Sequence, residues 1–351
     1  MSLYHLRLEM EKRPSKADTA RPSEPRGRRE EGSQREETTQ AQLTHPPDFW
    51  SFWVKTRAEL GEIPPNVSRE PLWEQDPAIL FERLAFDSLG GARLSGYAIR
   101  WRDNVERPLV VHGHGYGGGL EFMWHWARKG VNVLGVEVRG YGRSQEALPA
   151  RSPYGYILTG IESPEEHVLR GAVCDYARAV EVGKELLGFH ASRTVLQGAS
   201  FAGGLAVMVQ GLLGIADLLV VSVPSLGWVE GRRSLASGGS GYEIRRYLEE
   251  HPEREEDLMD VMRYFDSMNF APEVRCPSLV GVALADEVVP PPSVYAIIDH
   301  LGGPCEIATW PASHADLPEE HFFRERFEAY WLRLATEGVP ANFGKTKATE
   351  G

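Results

Sequence analysis

Short apolar runs alternate with amphipathic helical patterns over most of the sequence, and this alternation restricts the possible folds more than any other feature. Continuously apolar strands are typical of parallel sheets that are covered by helices on both faces. The sequence therefore predicts an α/β fold with a mostly parallel, doubly wound sheet. The apolar runs from the third predicted strand onward are residues 109–111, 131–138, 194–196, 218–223, 278–284 and 305–309.

The composition of the chain changes at several points that indicate domain limits. Residues 1–45 are rich in Arg, Glu, Pro, Ser and Thr, which predicts a disordered polar tail. Residues 46–340 are predicted to form one domain. Within it, the charged and glycine-rich segment 224–270 interrupts the alternation and is predicted to be a helical excursion between the sixth and seventh predicted strands. Residues 341–351 are predicted to be a flexible C-terminal tail.

The charge and the cysteines argue against several classes of protein. The formal net charge of −12 is opposite to the basic face that phosphate binding needs, so we expect no nucleic-acid partner. The three cysteines are widely spaced without a C-x-x-C motif, which favours buried free thiols over a disulfide framework or a zinc site. No stretch approaches the roughly 20 apolar residues of a membrane span, and no signal-peptide pattern is found. A cytoplasmic protein without membrane contact is expected.

A strand-turn-helix pattern surrounds Ser200. An apolar run precedes the serine and a buried helical pattern follows it. Gly198 and Ala202 stand two residues before and two residues after it. A nucleophile elbow needs small residues at these positions, because the sharp turn brings the backbones of strand and helix close together. The pattern therefore predicts that Ser200 is a nucleophile.

An acid and a base follow Ser200 in the order that α/β-hydrolases use. Asp286 comes just after one predicted strand, and His314 comes just after the next. Because the carboxyl ends of parallel strands meet at one edge of a sheet, both side chains are expected near Ser200. A serine hydroxyl needs a base that is itself oriented by an acid. We therefore predict a triad of Ser200, Asp286 and His314.

Neighbouring carboxylates leave the identity of the acid open at this point. Glu287 and Asp316 lie close to the predicted acid and the predicted base in the sequence, and both are rivals. Asp299 is disfavoured because it falls within a predicted helix. Each of these carboxylates is also explained as a solvated surface charge.

An oxyanion hole requires two N–H donors beside the nucleophile. The backbone N–H of Phe201 is the first candidate, because it follows Ser200 at a helix N-terminus. The second candidate is the backbone N–H of His114, in the glycine-rich loop after the third predicted strand.

The glycine-rich loop has two competing interpretations. It lacks the Gly-Lys-Ser/Thr of a P-loop, and its glycines do not fit a dinucleotide-binding fingerprint. His112 and His114 offer two metal ligands, but no nearby carboxylate and histidine pair completes a set, and His125 alone is insufficient. We therefore expect neither a cofactor nor a metal, and a structural role for His112.

Several longer motifs lie along the chain at specific spacings. They are Asp48-Phe49-x-x-Phe52-Trp53, His112-Gly113, Arg139-Gly140-x-Gly142-x-Ser144, Arg170-Gly171-x-x-x-Asp175, Tyr264-Phe265-Asp266-x-Met268-Asn269, Asp286-x-Val288-x-Pro290-Pro291 and His314. With these motifs the chain resembles, over about residues 48–330, the acetyl xylan esterase and cephalosporin C deacetylase family of carbohydrate esterases, a branch of the α/β-hydrolases. The resemblance implies the same triad, removal of acetyl groups from sugars or related alcohols, and a homo-oligomer, often a hexamer.

The chain departs from this family beside the predicted oxyanion hole. Phe201 replaces the family's usual Gln, and His114 replaces a Tyr. Backbone amides are unaffected, whereas an apolar Phe201 and a titratable His114 are expected to alter the substrate preference. Tyr116, Phe201 and Trp228 are the candidate pocket residues.

These features predict a serine esterase that hydrolyses acetyl or other short-chain acyl esters through an acyl-enzyme intermediate. Its substrate is expected to be a small ester such as an acetylated sugar. One alternative is another ester, lactone or thioester hydrolase on the same scaffold. A second is a catalytically idle, hydrolase-like protein that binds partners through its tail or its helical excursion.

Overall fold

The computed structural model of the protein describes residues 41–73, 76–186, 189, 191–314 and 321–344. The strands in these ranges are β1 (Ser68–Pro71), β2 (Ile79–Ser88), β3 (Ala92–Trp101), β4 (Arg107–His112), β5 (Asn132–Glu137), β6 (Ala191–Ala199), β7 (Leu218–Ser222), β8 (Ser278–Ala283) and β9 (Cys305–Trp310). The α-helices are α1 (Phe49–Gly61), α2 (Trp124–Ala127), α3 (Val168–Glu181), α4 (Phe201–Leu213), α5 (Val229–Leu235), α6 (Gly239–Glu250), α7 (Glu255–Met262), α8 (Pro291–His300) and α9 (His321–Glu337).

The described strands form one sheet in the order β1-β2-β3-β5-β4-β6-β7-β8-β9. Neighbours from β5 to β9 are parallel, while β1, β2 and β3 form an antiparallel edge that joins β5. The predicted, mostly parallel sheet is therefore confirmed. The chain leaves β4 toward β5 on one side and returns to β6 on the other. Ligand crevices in open α/β sheets form outside the carboxyl ends of strands at such a reversal.

Helices cover both faces of the sheet, which explains the continuously apolar strands. Successive strand residues point to opposite faces. Val111 accordingly belongs to the hydrophobic cluster that includes α3, α4 and α8. Its neighbour Val110 belongs to a second cluster, which includes Trp126 of α2 and Trp331 of α9. Each central strand thus buries side chains in two cores, and this fixes the position of its carboxyl end.

The helical excursion lies where the sequence indicates, after β7 and before β8, and it contains α5, α6 and α7. It falls between the seventh and eighth strands because β1 was not among the predicted strands. All four residues of β1 are exposed, and the strand ends in Pro71. A polar strand with a proline is tolerated at a sheet edge but has no apolar pattern to reveal it.

The ordered domain extends beyond both predicted tail boundaries. Ala41 is buried, and the Thr44 backbone N–H donates to Asn269 Oδ1 at 2.9 Å. At the other end, Phe343 is buried and the Gly344 N–H donates to Glu306 Oε1 at 3.3 Å. The rest of the two predicted tails, residues 1–40 and 345–351, lies outside the described residues.

Two further predictions concern cysteines and membrane spans. All three cysteines lie in the described residues and none forms a disulfide; Cys174 is buried, and Cys276 and Cys305 are half-buried. No helix in the described part of the chain has both the length and the apolar character needed to cross a membrane.

Candidate active site

Ser200 occupies a strained turn between β6 and α4. Its backbone has φ 52° and ψ −115°, a conformation that side-chain-bearing residues rarely adopt. Three backbone hydrogen bonds hold it there, each 3.0 Å long: the Ser200 N–H donates to the Ser222 carbonyl, and the Ser200 carbonyl accepts from Gly204 and Ser225. The surrounding structure therefore fixes the serine in the geometry of a nucleophile elbow.

Gly198 permits the close approach of strand and helix that this turn requires. A Cβ atom at this position would lie 2.4 Å from the carbonyl carbon and oxygen of Ala202 and 2.6 Å from the nitrogen of Gly203. These are backbone atoms at the start of α4, which cannot move aside without moving the elbow. The reason for a small residue two positions before Ser200 is thus visible in the structure.

Gly198→Ala is expected to lower the free energy of unfolding by about 1–3 kcal/mol, the usual range for overpacking a close contact. It should also slow esterase turnover, since relief of the clash displaces Ser200. Gly61→Ala is the matched control, because a Cβ there meets nothing within 4 Å. Urea unfolding of both variants tests this, and equal stabilities would contradict the close approach.

A chain of hydrogen bonds joins Ser200, His314 and Asp286. Ser200 Oγ lies 3.3 Å from His314 Nε2, and His314 Nδ1 lies 2.7 Å from Asp286 Oδ2. The other carboxylate oxygen, Asp286 Oδ1, accepts from the backbone N–H groups of Val288 and Val289 at 2.8 and 2.7 Å. A carboxylate at Nδ1 selects the tautomer whose Nε2 lone pair faces the serine. The imidazole is thus oriented to accept the serine proton.

Burial distinguishes the acid from the base of this arrangement. The Asp286 side chain is fully buried, whereas the His314 side chain is 25% exposed. Among the rival acids, Glu287 Oε2 accepts from Ser237 Oγ at 3.3 Å, and Asp299 is exposed on α8. Asp316 lies outside the described residues. Asp286 is the described carboxylate that contacts His314.

The two predicted oxyanion donors lie at the carboxyl ends of adjacent strands. Phe201 is the first residue of α4, so its N–H has no acceptor within the helix. His114 follows β4, and β4 pairs with β6 up to His112 and Gln197. The assignment of both amides as oxyanion donors stays a prediction.

The His114 side chain is buried and bound to backbone groups, so its predicted effect on substrate preference would have to be indirect. The ring is 4% exposed, and both nitrogens bind backbone groups. Nδ1–H donates to the Gly115 carbonyl at 2.8 Å, and Nε2 accepts from the Val138 N–H at 3.3 Å. Burial lowers the pKa of His114 below its usual value. The ring is therefore neutral and holds its loop against the end of β5.

Comparison with known proteins decides the family. The family model described as acetyl xylan esterase (AXE1) matches residues 35–332, most of the chain. The chain belongs to the acetyl xylan esterase family. The acetyl esterase Axe7A of Xylanibacter ruminicola is 24% identical over 282 residues, which span 76% of this chain but only 63% of that protein. The resemblance inferred from the sequence motifs is thereby confirmed.

Solved acetyl xylan esterases share this fold. One from a Paenibacillus species is 26% identical, with a TM-score of 0.75 over 85% of this chain and 98% of that chain. Acetyl xylan esterase 1 from a Thermoanaerobacterium species has a TM-score of 0.77 at 21% identity, over 87% of this chain and 98% of that chain. The second likeness shows the fold alone. Together they confirm the predicted α/β-hydrolase architecture.

Phe201 is part of the core and not a pocket wall. Its side chain is 0% exposed. The ring centroid lies 5.5 Å from that of Tyr116, 6.1 Å from Tyr141, 5.8 Å from Tyr156 and 6.2 Å from His114. The expectation that Phe201 lines the substrate pocket is therefore wrong for this structure. Phe201 is instead part of an aromatic cluster beside the nucleophile.

The other two pocket candidates are half-buried and anchored to the helical excursion. Tyr116 Oη donates to Glu243 of α6 and accepts from the Ile157 N–H at 2.8 Å. Trp228 precedes α5 in a left-handed conformation, and its ring packs on Gly231, where a Cβ would lie 2.2 Å away. Both side chains have fixed positions, and their contact with substrate stays a prediction.

The histidines weighed as metal ligands have other partners. His112 Nε2 lies 2.5 Å from Tyr97 Oη in the core, and His125 Nε2 lies 3.0 Å from Glu328 Oε1 at the surface. The described residues contain no group of three or more His, Cys, Asp or Glu side chains that could hold a metal ion. His112 is thus a structural residue at the end of a buried strand.

One charged side chain near the site was not found from the sequence. Arg232 lies in α5 and is 2% exposed. Its sequence context, between a glycine and a second arginine in a charged segment, is typical of a solvated helix face. Only the tertiary structure shows that it is buried.

Proposed function

We propose that this protein is a serine esterase that removes acetyl or other short acyl groups from the hydroxyl oxygens of sugars or related small alcohols. The observation that carries the proposal is the continuous hydrogen-bonded chain from buried Asp286 through His314 to the strained Ser200. Membership of the acetyl xylan esterase family supports the acetyl group as the acyl part. The names of its relatives, which are acetyl and acetyl xylan esterases, agree with it.

The proposed reaction has two steps. In the first, Ser200 Oγ attacks the ester carbonyl carbon while its proton passes to His314 Nε2, and the tetrahedral intermediate expels the alcohol, which takes that proton. In the second, water attacks the acyl-enzyme while its proton passes to His314 Nε2, and the acid leaves as Ser200 Oγ takes that proton back. Asp286 stabilises the imidazolium in both steps.

The negative oxygen of each tetrahedral intermediate is proposed to accept hydrogen bonds from the Phe201 and His114 amides. Donors that are fixed before the reaction stabilise developing charge without reorganisation, and each is typically worth about 10²–10³-fold in rate. The distance of 3.3 Å from Ser200 to His314 is long for a hydrogen bond. Such contacts shorten when substrate binds.

A panel of 4-nitrophenyl esters is expected to show acetate as the best substrate, with kcat/KM lower by roughly tenfold or more for long acyl chains. The reason is membership of the acetyl xylan esterase family, whose name gives acetyl as the acyl group. Release of acetate from acetylated xylo-oligosaccharides, measured beside it, tests the alcohol part, with Ser200→Ala as the blank. Faster turnover of lactones, thioesters or long-chain esters would replace the deacetylase proposal with another hydrolase on the same site.

Self-association is a further part of the proposal and rests on the family resemblance. A homo-oligomer, with the hexamer as the specific expectation, is proposed. Light scattering after size-exclusion chromatography measures the assembly directly, and a monomer at micromolar concentration would contradict it.

A further inference from the structure

Arg232 is a buried cation without a carboxylate partner in the described part of the chain. Its Nη1 and Nη2 atoms donate to Ser240 Oγ, each at 3.1 Å, and Nη2 reaches the Val288 carbonyl at 3.5 Å. Its Nε is buried and has no hydrogen-bond partner. Burying a charge is costly unless other charges compensate for it. The cost of burying the charge of Arg232 must therefore be offset by other groups.

The compensating charges belong to the triad and its surroundings. Burial lowers the pKa of Arg232 to about 10, while Tyr116, Asp266 and Asp286 favour its charged form. It is therefore protonated at neutral pH. Asp266 is already bound by three backbone N–H groups, including that of Val229, which opens α5. Asp286 is the catalytic acid, so the guanidinium shares its electrostatic environment.

The same segment also contacts the loop that carries the acid. The Ser237 N–H donates to the Glu287 carbonyl at 2.7 Å. Gly238 and Gly239 lie so close to Val288 that a Cβ on either would be 3.1–3.2 Å from its side chain. Arg232 adds its contact with the Val288 carbonyl. Residues 286–289 are thus held between α8, which follows them, and the segment that begins with α5.

We propose that Arg232 is a positioning residue for the catalytic acid: it braces the Val288 carbonyl and presents a permanent positive charge to the Asp286 carboxylate. This inference rests on the proposed esterase function. The Asp286 carboxylate orients His314 through Nδ1, so a group that fixes the acid also fixes the base. The titratable groups that act on Arg232 are Tyr116, Asp266 and Asp286. Asp286 in turn contacts His314, and Glu287 is bound to Ser237.

The test compares Arg232→Met with Arg232→Lys in kcat/KM against pH for 4-nitrophenyl acetate. In Arg232→Met the acid limb of the profile is expected to move upward in pH, because a positive charge beside the acid and the base is lost. Its kcat should fall by about 10-fold to 100-fold, because the acid loop loses its brace. Arg232→Lys keeps the charge but not the planar fork, so its acid limb should match that of the wild type while kcat stays reduced.

Arg178→Met is the matched control. Arg178 is equally buried, but it binds the Leu60 and Ile63 carbonyls and the Glu181 carboxylate, away from the triad. Its loss should destabilise the fold without moving the acid limb. An unchanged limb and kcat in Arg232→Met, or the same shift in Arg178→Met, would overturn the inference.

A second variant tests the positioning role of Arg232 if Arg232→Met does not fold. Ser240→Ala removes only the acceptor that both guanidinium nitrogens share, and a kcat lowered severalfold at constant KM supports the positioning role. Wild-type kcat in that variant contradicts it. Turnover by the wild type and its loss in Ser200→Ala are measured separately and test the proposed function alone, so the two failures are distinguishable.

Discussion

Ser200→Ala is expected to lower kcat/KM for 4-nitrophenyl acetate by about 10⁵–10⁶-fold, because it removes the oxygen that forms the acyl-enzyme. His314→Ala should have a similar effect, since Ser200 then has no base. Asp286→Asn is expected to retain more activity, with a loss of about 10⁴-fold, because the nucleophile and base remain while the tautomer and orientation of His314 are lost. Steady-state kinetics on the folded variants measures all three.

The three side chains should behave as one unit. The double variant Ser200→Ala, His314→Ala is expected to be no slower than either single variant, since each already prevents acyl-enzyme formation. Ser234→Ala is the control and should keep wild-type rates. Ser234 is exposed, and its hydroxyl donates to the Gly231 carbonyl of the same helix. A fluorophosphonate probe should label the wild type and the control but not Ser200→Ala. Undiminished labelling of Ser200→Ala would place the nucleophile elsewhere.

The parts of this site that could be predicted from the sequence are those fixed by local geometry and by chain order. The requirement for Gly198 arises from contacts within residues 198–203, so the elbow could be predicted from the residues next to Ser200. Asp286 and His314 could be found because parallel strands deliver their following residues to one edge of the sheet. The family resemblance then added the acyl group.

The parts that could not be predicted depend on contacts between distant segments. Phe201 has an apolar side chain next to the nucleophile, and the sequence does not show whether it faces substrate or core; rings from three other segments decide that it is buried. Arg232 is the opposite case. It is a charged residue in a polar segment, and it is buried because the excursion packs against the loop that carries Asp286. Strand β1 was not predicted because it has no apolar face. It pairs with β2 through the backbone and through the ion pairs Arg69–Glu82 and Glu70–Arg83.

Mild acid is expected to destabilise the protein by about 3 kcal/mol between pH 7 and pH 5, through histidines that are buried neutral. Burial lowers the pKa of His112 to about 3 and that of His167 to about 4. In the unfolded chain both titrate near 6.5. Their contribution to stability is therefore fully present above about pH 6.5 and is lost as the pH falls toward the folded-state values, at about 2 kcal/mol each by pH 5.

One buried carboxyl opposes this trend without cancelling it. Burial raises the pKa of Asp266 to about 6, against three hydrogen bonds from backbone N–H groups. Because its folded-state pKa is raised, the folded protein gains about 1 kcal/mol relative to the unfolded chain between pH 7 and pH 5. The pKa of His114 is lowered by burial and adds to the loss. Burial also raises the pKa values of the half-buried Glu137 and Glu243, which adds to the opposing effect. The histidines prevail because His112 and His167 together lose about 4 kcal/mol by pH 5, against about 1 kcal/mol gained at Asp266.

His167 shows why protonation is resisted. Its Nδ1 accepts from the Leu169 N–H at 3.2 Å at the start of α3, and its Nε2–H donates to the Ile157 carbonyl at 2.9 Å. A proton on Nδ1 would face a donor, so the helix must lose its N-terminal hydrogen bond before the ring can ionise. Acid sensitivity is thus built into the N-cap of the helix that packs against α4.

Urea unfolding at pH 7, 6 and 5 measures the effect, with His167→Gln and the control His45→Gln as the paired variants. His167→Gln removes one buried titrating group, so its stability should change by about 2 kcal/mol less than that of the wild type between pH 7 and pH 5, although it starts from a lower value. His45→Gln removes an exposed histidine that forms no ion pair with the described residues, so its stability difference between pH 7 and pH 5 should match that of the wild type. A wild-type stability that is level over this range would mean that His112 and His167 are not held neutral by the fold.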